Sequence, residues 1–319
     1  MARVSPTYGT DIAGDDYVPM TVAEMGEMIG KIAYSVIREN TAQDHLAVFD
    51  KMPINKGDTI EQAVVKMAES LAYDDEGADA LKREDSVKFA VSYFKTWSRA
   101  KFKKTVDVSL IRKVLSEEID VSDVTAKIVS SMTEGDKQEK YENVRDLLTW
   151  GRQVADGGTG AVLVNAETVN YDSVNSTIDY KSVLVAMKNA VSGMKFVNAN
   201  FNTASLKRRT RPEDIYILMP YQLKNKIDVE ELAGVFNLDK AEIKDRIIET
   251  DTGLESSRYY YIYILDKHAV LDFTRLYEMM DEKNADGLFW NYYLHVERLY
   301  ALSKLFDGCY IKVDATGSN

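Results

Sequence analysis

The stretch from Leu46 to Val108 is the part of this chain that most constrains its fold. Its clearer half alternates, with Val87, Phe89, Val91, Tyr93 and Trp97 set against Lys88, Ser92, Thr96 and Ser98, and it then runs into Arg99, Lys101, Lys103 and Lys104. A period of two marks a strand with one covered face and one wet face. A turn signal at Asn55-Lys56-Gly57-Asp58 and an acidic stretch at Asp74-Asp75-Glu76-Gly77 precede it. The pattern predicts a long two-stranded excursion with irregular turns. Two strands cannot bury both faces by themselves, so the excursion needs a partner surface, and another copy of the chain is one such surface.

The rest of the pattern is mixed. Residues 1–20 hold Pro6, Gly9, Gly14 and Pro19 without periodicity and read as an arm. Thr21 and Glu24 have capping-box spacing ahead of Val22, Met25, Ile29, Ile32 and Val36, which predicts a helix over Thr21 to Arg38. After the excursion, Leu110, Ile111, Val114, Leu115 and Ile119, then Val121, Val124, Ile128 and Met132, then Tyr141, Val144, Leu147 and Leu148 predict a long helix interrupted at Gly135. Gly151, Gly157, Gly158 and Gly160 mark a hinge and a candidate domain boundary. Alternating elements follow: a strand at Ala161–Val164, a helix at Tyr180–Val191, a strand at Ile215–Met219, helices near Val229–Phe236 and Lys240–Ile247, a strong strand at Tyr259–Leu265, and a strand at Tyr292–Leu305. The fold class is α+β, with no internal repeat.

Charge and composition narrow the function. The chain's 40 Lys and Arg against 51 Asp and Glu give a net charge of -11, a surface that repels nucleic acid on average. With Cys309 as the one cysteine, no intrachain disulfide can form, and the cell interior is the expected compartment. The most apolar run, Tyr259–Leu265, stops at Asp266 and Lys267, short of the roughly 20 residues a membrane helix needs, so no membrane contact is expected. Nineteen tyrosines against ten phenylalanines suit either a core rim or subunit interfaces.

Motifs that carry chemistry fail on their own requirements. A phosphate loop needs Gly-Lys-Ser/Thr, and no such run occurs. Gly158-Thr159-Gly160 starts like a dinucleotide loop, yet Leu163 stands where a third glycine is needed. His45, His268 and His295 lie at no helical spacing from one another, and Cys309 cannot build a zinc site alone. Asp251-Thr252-Gly253 has the letters of an aspartic-protease site, but Glu249 and Thr250 precede it in place of an apolar strand, so it reads as a turn. No catalytic, metal or cofactor residue is therefore assigned, and an enzyme is not expected. Residues 229–247 have helix-turn-helix spacing around Asn237, but Asp239, Glu242, Asp245 and Glu249 offset Lys240, Lys244 and Arg246. The basic groups at Lys95 to Lys113 and Lys207-Arg208-Arg209-Thr210-Arg211 fit solvated faces or carboxylate partners on another subunit.

An arm, a long strand pair, a central helix and an α+β half ending in a strand follow one another in the order of tailed-phage major capsid proteins of the Hong Kong 97 type, which the chain resembles. Asp214-Ile215-Tyr216-Ile217-Leu218-Met219-Pro220, Val229-Glu230-Glu231-Leu232-Ala233 with Phe236-Asn237 and Asp239-Lys240-Ala241-Glu242, and Leu288-Phe289-Trp290-Asn291-Tyr292-Tyr293-Leu294-His295-Val296 are similar to capsid segments from one group of such phages. The resemblance implies an N-terminal arm and first helix at 1–45, an extended loop at 46–108, a spine helix and part of a peripheral domain at 109–159, an axial domain at 160–265, and a return to the peripheral domain at 266–319. It implies a shell of pentamers and hexamers around packaged double-stranded DNA, held without sequence-specific contact. Portal and scaffolding or decoration proteins are the other implied partners. The shell would assemble in the host cytoplasm and reside in the virion. The extended loop would lap over a neighbour, with Phe49, Pro53, Tyr93, Trp97, Lys101 and Lys103 as candidate subunit-interface residues. A helix-turn-helix DNA-binding protein and an encapsulin-type container remain alternatives.

Overall fold

The computed structural model describes residues 46–55, 57–68, 70, 89–107, 121–153, 162–173, 177–227, 246–251, 258–284 and 286–316. The expected arm, the helix over Thr21 to Arg38 and nearly all of 229–247 lie outside them. Ile247 itself opens a strand instead of closing a helix.

Five strands form the larger sheet: β4 (Val164–Val169), β7 (Ile215–Pro220), β8 (Ile247–Thr250), β9 (Tyr259–Asp266) and β12 (Gly308–Asp314), in the order β4-β12-β9-β7-β8. β12 runs parallel to β4 and antiparallel to β9, while β7 runs antiparallel to β9 and parallel to β8. A sheet covered on both faces needs apolar residues at odd and even positions alike, which is why Tyr259–Leu265 reads as an unbroken apolar run. One face carries Ile217, Met219, Ile262, Ile264, Cys309, Ile311 and Val313 against Met187, Val191 and Met194 of helix α2 (Tyr180–Lys195). Burial there pushes the Cys309 thiol pKa up, so it is an unreactive core group. Helix α2 starts where Asp179 accepts a hydrogen bond from the Ser182 N–H at 3.1 Å.

The opposite face carries Leu218, Tyr261, Tyr263, Leu265 and Tyr310 against Val144 and Leu148 of helix α1 (Val121–Gln153), together with Leu46 and Phe49. Much of the tyrosine is therefore core: Tyr263 pairs with Tyr310 across strands, and the Arg152 guanidinium lies 3.5 Å from the Tyr261 ring centre. A short helix, α3 (Tyr221–Lys224), follows β7.

The second sheet has three strands, ordered β10 (Val270–Asn284), β11 (Phe289–Leu302) and β3 (Ser98–Asp107), all antiparallel. The last predicted strand thus starts three residues earlier, at Phe289, and ends at Leu302. A separate pair, β1 (Ile60–Val65) and β2 (Phe89–Phe94), makes an antiparallel ribbon. A small bridge joins β5 (Tyr171–Asp172) to β6 (Thr177–Ile178).

Two glycine expectations are corrected. Helix α1 runs through Gly135 without a break, because the missing side chain makes room for Phe102 of β3: a Cβ there would sit 3.2 Å from the Phe102 Cδ1. Gly151 is not a hinge but lies in the last turns of α1, where a Cβ would come within 2.6 Å of the Leu302 Cδ1. Gly151→Val is therefore expected to destabilise the subunit by about 1–3 kcal/mol through overpacking, read as a lower midpoint in urea denaturation.

The predicted segments also need redrawing. Residues 46–108 do not leave the body as one unit. Phe49 is fully buried, the Lys51 and Ile54 N–H groups donate to Asp272 and Thr274 carbonyls at 2.8 and 3.1 Å, and β3 belongs to the chain's own three-stranded sheet. Likewise, a boundary at 265 would split the larger sheet, since β12 sits between β4 and β9.

Candidate functional site

The ribbon presents the most distinctive surface. Direct pairing of Glu61 with Tyr93, Ala63 with Val91 and Val65 with Phe89 puts all six on one face. Four of them are exposed apolar side chains: Val65 at 53%, Phe89 at 63%, Val91 at 40% and Tyr93 at 62%. The opposite face, with Ile60, Gln62 and Val64 against Phe94, Ser92 and Ala90, is buried or half-buried throughout. Gln62 donates to the His268 carbonyl at 3.3 Å and ties that side to the chain's own body. One face of the ribbon is thus partly covered and the other is an open apolar strip of a kind that marks a contact surface.

Of the six candidate interface residues, the structure withdraws one. Phe49 is 0% exposed and packs edge-on against Tyr216 in the chain's own core, at 6.1 Å between ring centres, so it has no surface to offer a neighbour. Pro53 is exposed beside Met52, itself 85% exposed, at the root of the ribbon. Tyr93 closes one end of the apolar strip, opposite Glu61, and is 62% exposed. Trp97, between β2 and β3, is half-buried, with the Arg275 guanidinium 4.3 Å from its ring centre. Lys101 and Lys103 stand on the exposed face of β3, each 5.5 Å from the Tyr293 ring centre. Sequence reading missed Phe89, Val91 and Val65 as members of the strip. The alternation of Phe89 and Val91 was visible, but β1, the strand that carries Val65 and pairs with them, was not.

The face holding Lys101 and Lys103 is polarised. Across the three strands the rows run Glu278, His295, Lys101 and then Met280, Tyr293, Lys103, acidic along β10 and basic along β3. Glu297 anchors the end of this face between Arg99 and Arg275, each at 2.8 Å. The basic run near residue 208 has a different fate. Arg208 points inward between Asp266 at 3.1 Å and Asp307 at 3.6 Å, two buried carboxylates whose other contacts include Thr210 and Asn202. Burial raises the Asp307 pKa, while hydrogen bonds from Thr210 and Asn202 and the Arg208 charge pull it back.

Among the described residues no catalytic geometry accompanies these surfaces. His268 rests against Asp266 at 2.8 Å, while His295 sits on the other sheet. Asp251 exchanges hydrogen bonds with Tyr141 at 2.8 and 2.9 Å and so pins the end of β8 to α1. Among the described residues no group of three His, Cys, Asp or Glu side chains is placed to hold a metal ion, and no helix is long and apolar enough to cross a membrane.

Comparison with known proteins agrees with a contact-making chain. The major capsid protein of Bacillus phage GA-1 is 24% identical over 284 residues, covering 87% of this chain and 57% of that protein. That of Bacillus phage PZA is 21% identical over 282 residues, covering 87% and 60%. The chain therefore spans less than two thirds of the length of these relatives. Among solved structures, the capsid of Staphylococcus phage Andhra superposes with a TM-score of 0.62 at 12% identity, covering 85% of this chain and 83% of that one. The fold is that of phage capsid proteins of the Hong Kong 97 type, mixed in α and β. These comparisons support neither the helix-turn-helix nor the encapsulin-type alternative, and the family they point to is structural, not enzymatic. Residues 21–312 match the Phi29-like phage major capsid proteins, and the chain belongs to that family.

Proposed function

We propose that this chain is the major capsid protein of a phage head, assembling with copies of itself into the icosahedral shell that encloses the DNA. The observation that carries the reading is the open apolar strip of the β1–β2 ribbon in a chain of a capsid family. Val65, Phe89, Val91 and Tyr93 are left uncovered by the described residues of their own subunit, and a neighbouring copy is the partner that covers them. Pro53, Trp97, Lys101 and Lys103 flank this contact and complete the proposed interface. In domain terms, α1 serves as the spine of the peripheral part together with the three-stranded sheet, and the five-stranded sheet with α2 forms the axial part.

A closed shell needs no single strong contact, because each subunit is held by several neighbours at once and closure multiplies them. Pentamers and hexamers are the proposed capsomers, and portal, scaffolding or decoration proteins the proposed further partners. The acidic surplus of -11 keeps the packaged double-stranded DNA from adhering to the wall. The same surplus makes subunits repel. Raising salt from about 50 mM to about 500 mM shortens the screening length from roughly 14 Å to roughly 4 Å, so assembly of purified subunits is expected to rise with salt. Light scattering follows the yield, and electron microscopy of the product identifies shells. Particles absent at every salt and protein concentration would count against the proposal.

A further inference from the structure

The buried stripe of α1 runs through Val129, Met132, Thr133, Asp136, Lys140, Val144 and Leu148, and its middle three members are polar. Asp136 and Arg298 of β11 satisfy each other through two hydrogen bonds of 2.9 Å. Lys140 is different, because it faces two carboxylates. It is in direct ionic contact with Asp50 and 3.4 Å from Asp272. Asp272 is 2% exposed, and neither of its oxygens accepts a hydrogen bond from any described residue. The charged and titratable groups around Asp272 are Lys140 and Asp136 from α1, Arg298 and Tyr300 from β11, and Asp50 and Lys51 from the segment leading to the ribbon. Arg298 is committed to Asp136, and the Lys51 ammonium donates to the Lys267 carbonyl at 2.7 Å. One ammonium therefore serves two carboxylates, one of them sealed from water.

The cluster sits where the chain leaves the body. Asp50 bridges to Asp272 along the backbone, and the N–H groups of Lys51 and Ile54 donate to the carbonyls of Asp272 and Thr274. Both carboxylates converge on the Lys140 ammonium, and two carboxylates can hydrogen-bond to each other only when one of them holds a proton. We propose that a proton bound by Asp272 latches residues 46–54 onto α1 and β10, so that the root of the ribbon is held more firmly in acid than at neutral pH. With that proton, Asp272 donates to Asp50, and Asp50 and Lys140 remain as a balanced pair. Without it, the buried Asp272 shares one ammonium with the half-exposed Asp50, and the cluster carries an uncompensated negative charge. The importance of the latch for assembly rests on the ribbon contact proposed above, but the latch itself lies within one chain.

Burial pushes the Asp272 carboxyl up to about 6; Lys140 and Arg298 oppose that rise and Asp50 adds to it. When 46–54 lifts away, Asp272 meets water and returns toward the usual carboxylate value near ~4. The closed form thus binds the proton more tightly than the open one. Its extra stability is complete below about pH 4 and is lost as pH rises through about 6.

Amide hydrogen exchange on the full chain tests this. After correction for intrinsic exchange, Lys51 and Ile54 are expected to be roughly tenfold better protected at about pH 5 than at about pH 7.5. Asp272→Asn mimics the neutral form and should remove the pH dependence while keeping the acid level of protection. Asp50→Asn removes the neighbouring charge and should move the midpoint to lower pH, which decides the matter if the Asp272 variant does not fold. Equal protection at both pH values in the parent chain, or an unmoved midpoint in Asp50→Asn, overturns the latch. Subunits that never form shells yet show this exchange pattern would refute the ribbon contact and leave the latch standing.

Discussion

Replacing Arg298 with methionine is expected to cost the subunit about 3–5 kcal/mol, a large fraction of the roughly 5–15 kcal/mol by which a domain is stable. Arg298 is 12% exposed at its side chain and Asp136 6%, and the two are joined by parallel hydrogen bonds between β11 and the middle of α1. Methionine fills most of the volume but leaves a carboxylate buried without its cation. Asp136→Leu in the same chain should recover most of the loss, because removing both charges also removes the desolvation penalty each one carries. Urea denaturation of the single and double variants gives the coupling directly. A single variant within about 1 kcal/mol of the parent would mean that the helix-to-sheet contact is held by apolar packing alone.

The second large effect concerns assembly, not folding. Phe89→Asp with Tyr93→Asp puts two charges on the open face of the ribbon, where the two aromatic side chains are 63% and 62% exposed. The folded subunit should keep its circular dichroism spectrum and thermal midpoint. Each aromatic anchor at the centre of an interface contributes about 2 kcal/mol or more. Losing both raises the subunit concentration needed for shell formation by roughly a thousandfold. Shells forming at the parent's concentration would remove this strip from the subunit contact.

How much of this was legible in the sequence depended on whether a residue's partner was local. The run at Tyr259–Leu265 announced a strand covered on both faces, because both faces demand apolar residues and seven in a row supply them. Alternation at Phe89, Val91 and Tyr93 likewise showed a one-sided strand. The helical period from Ile128 to Leu148 located α1, but nothing in it marks Asp136 and Lys140 as buried, since the partners that neutralise them lie 162 and 90 residues away in sequence. Gly135 and Gly151 misled for a related reason. A helix-breaking residue and a residue that admits a neighbouring side chain are the same letter, and only Phe102 and Leu302 tell them apart. Phe49 ends the apolar run Leu46-Ala47-Val48-Phe49, and a four-residue run gives no sign of whether it enters its own core or a neighbour's. Arg208 was read as a surface cation for want of any signal that Asp266 and Asp307 converge on it.

Helix α1 touches both sheets. Its middle bears on β3 and β11 through Gly135 and Asp136, and its C-terminal turns bear on the larger sheet through Val144 and Leu148. Thirty-three residues make a beam about 50 Å long. Tilting it by about 5° at one end carries the other end about 4 Å. Neither sheet can then be re-angled alone: a torque applied to the three-stranded platform arrives, through this girder, at the five-stranded one.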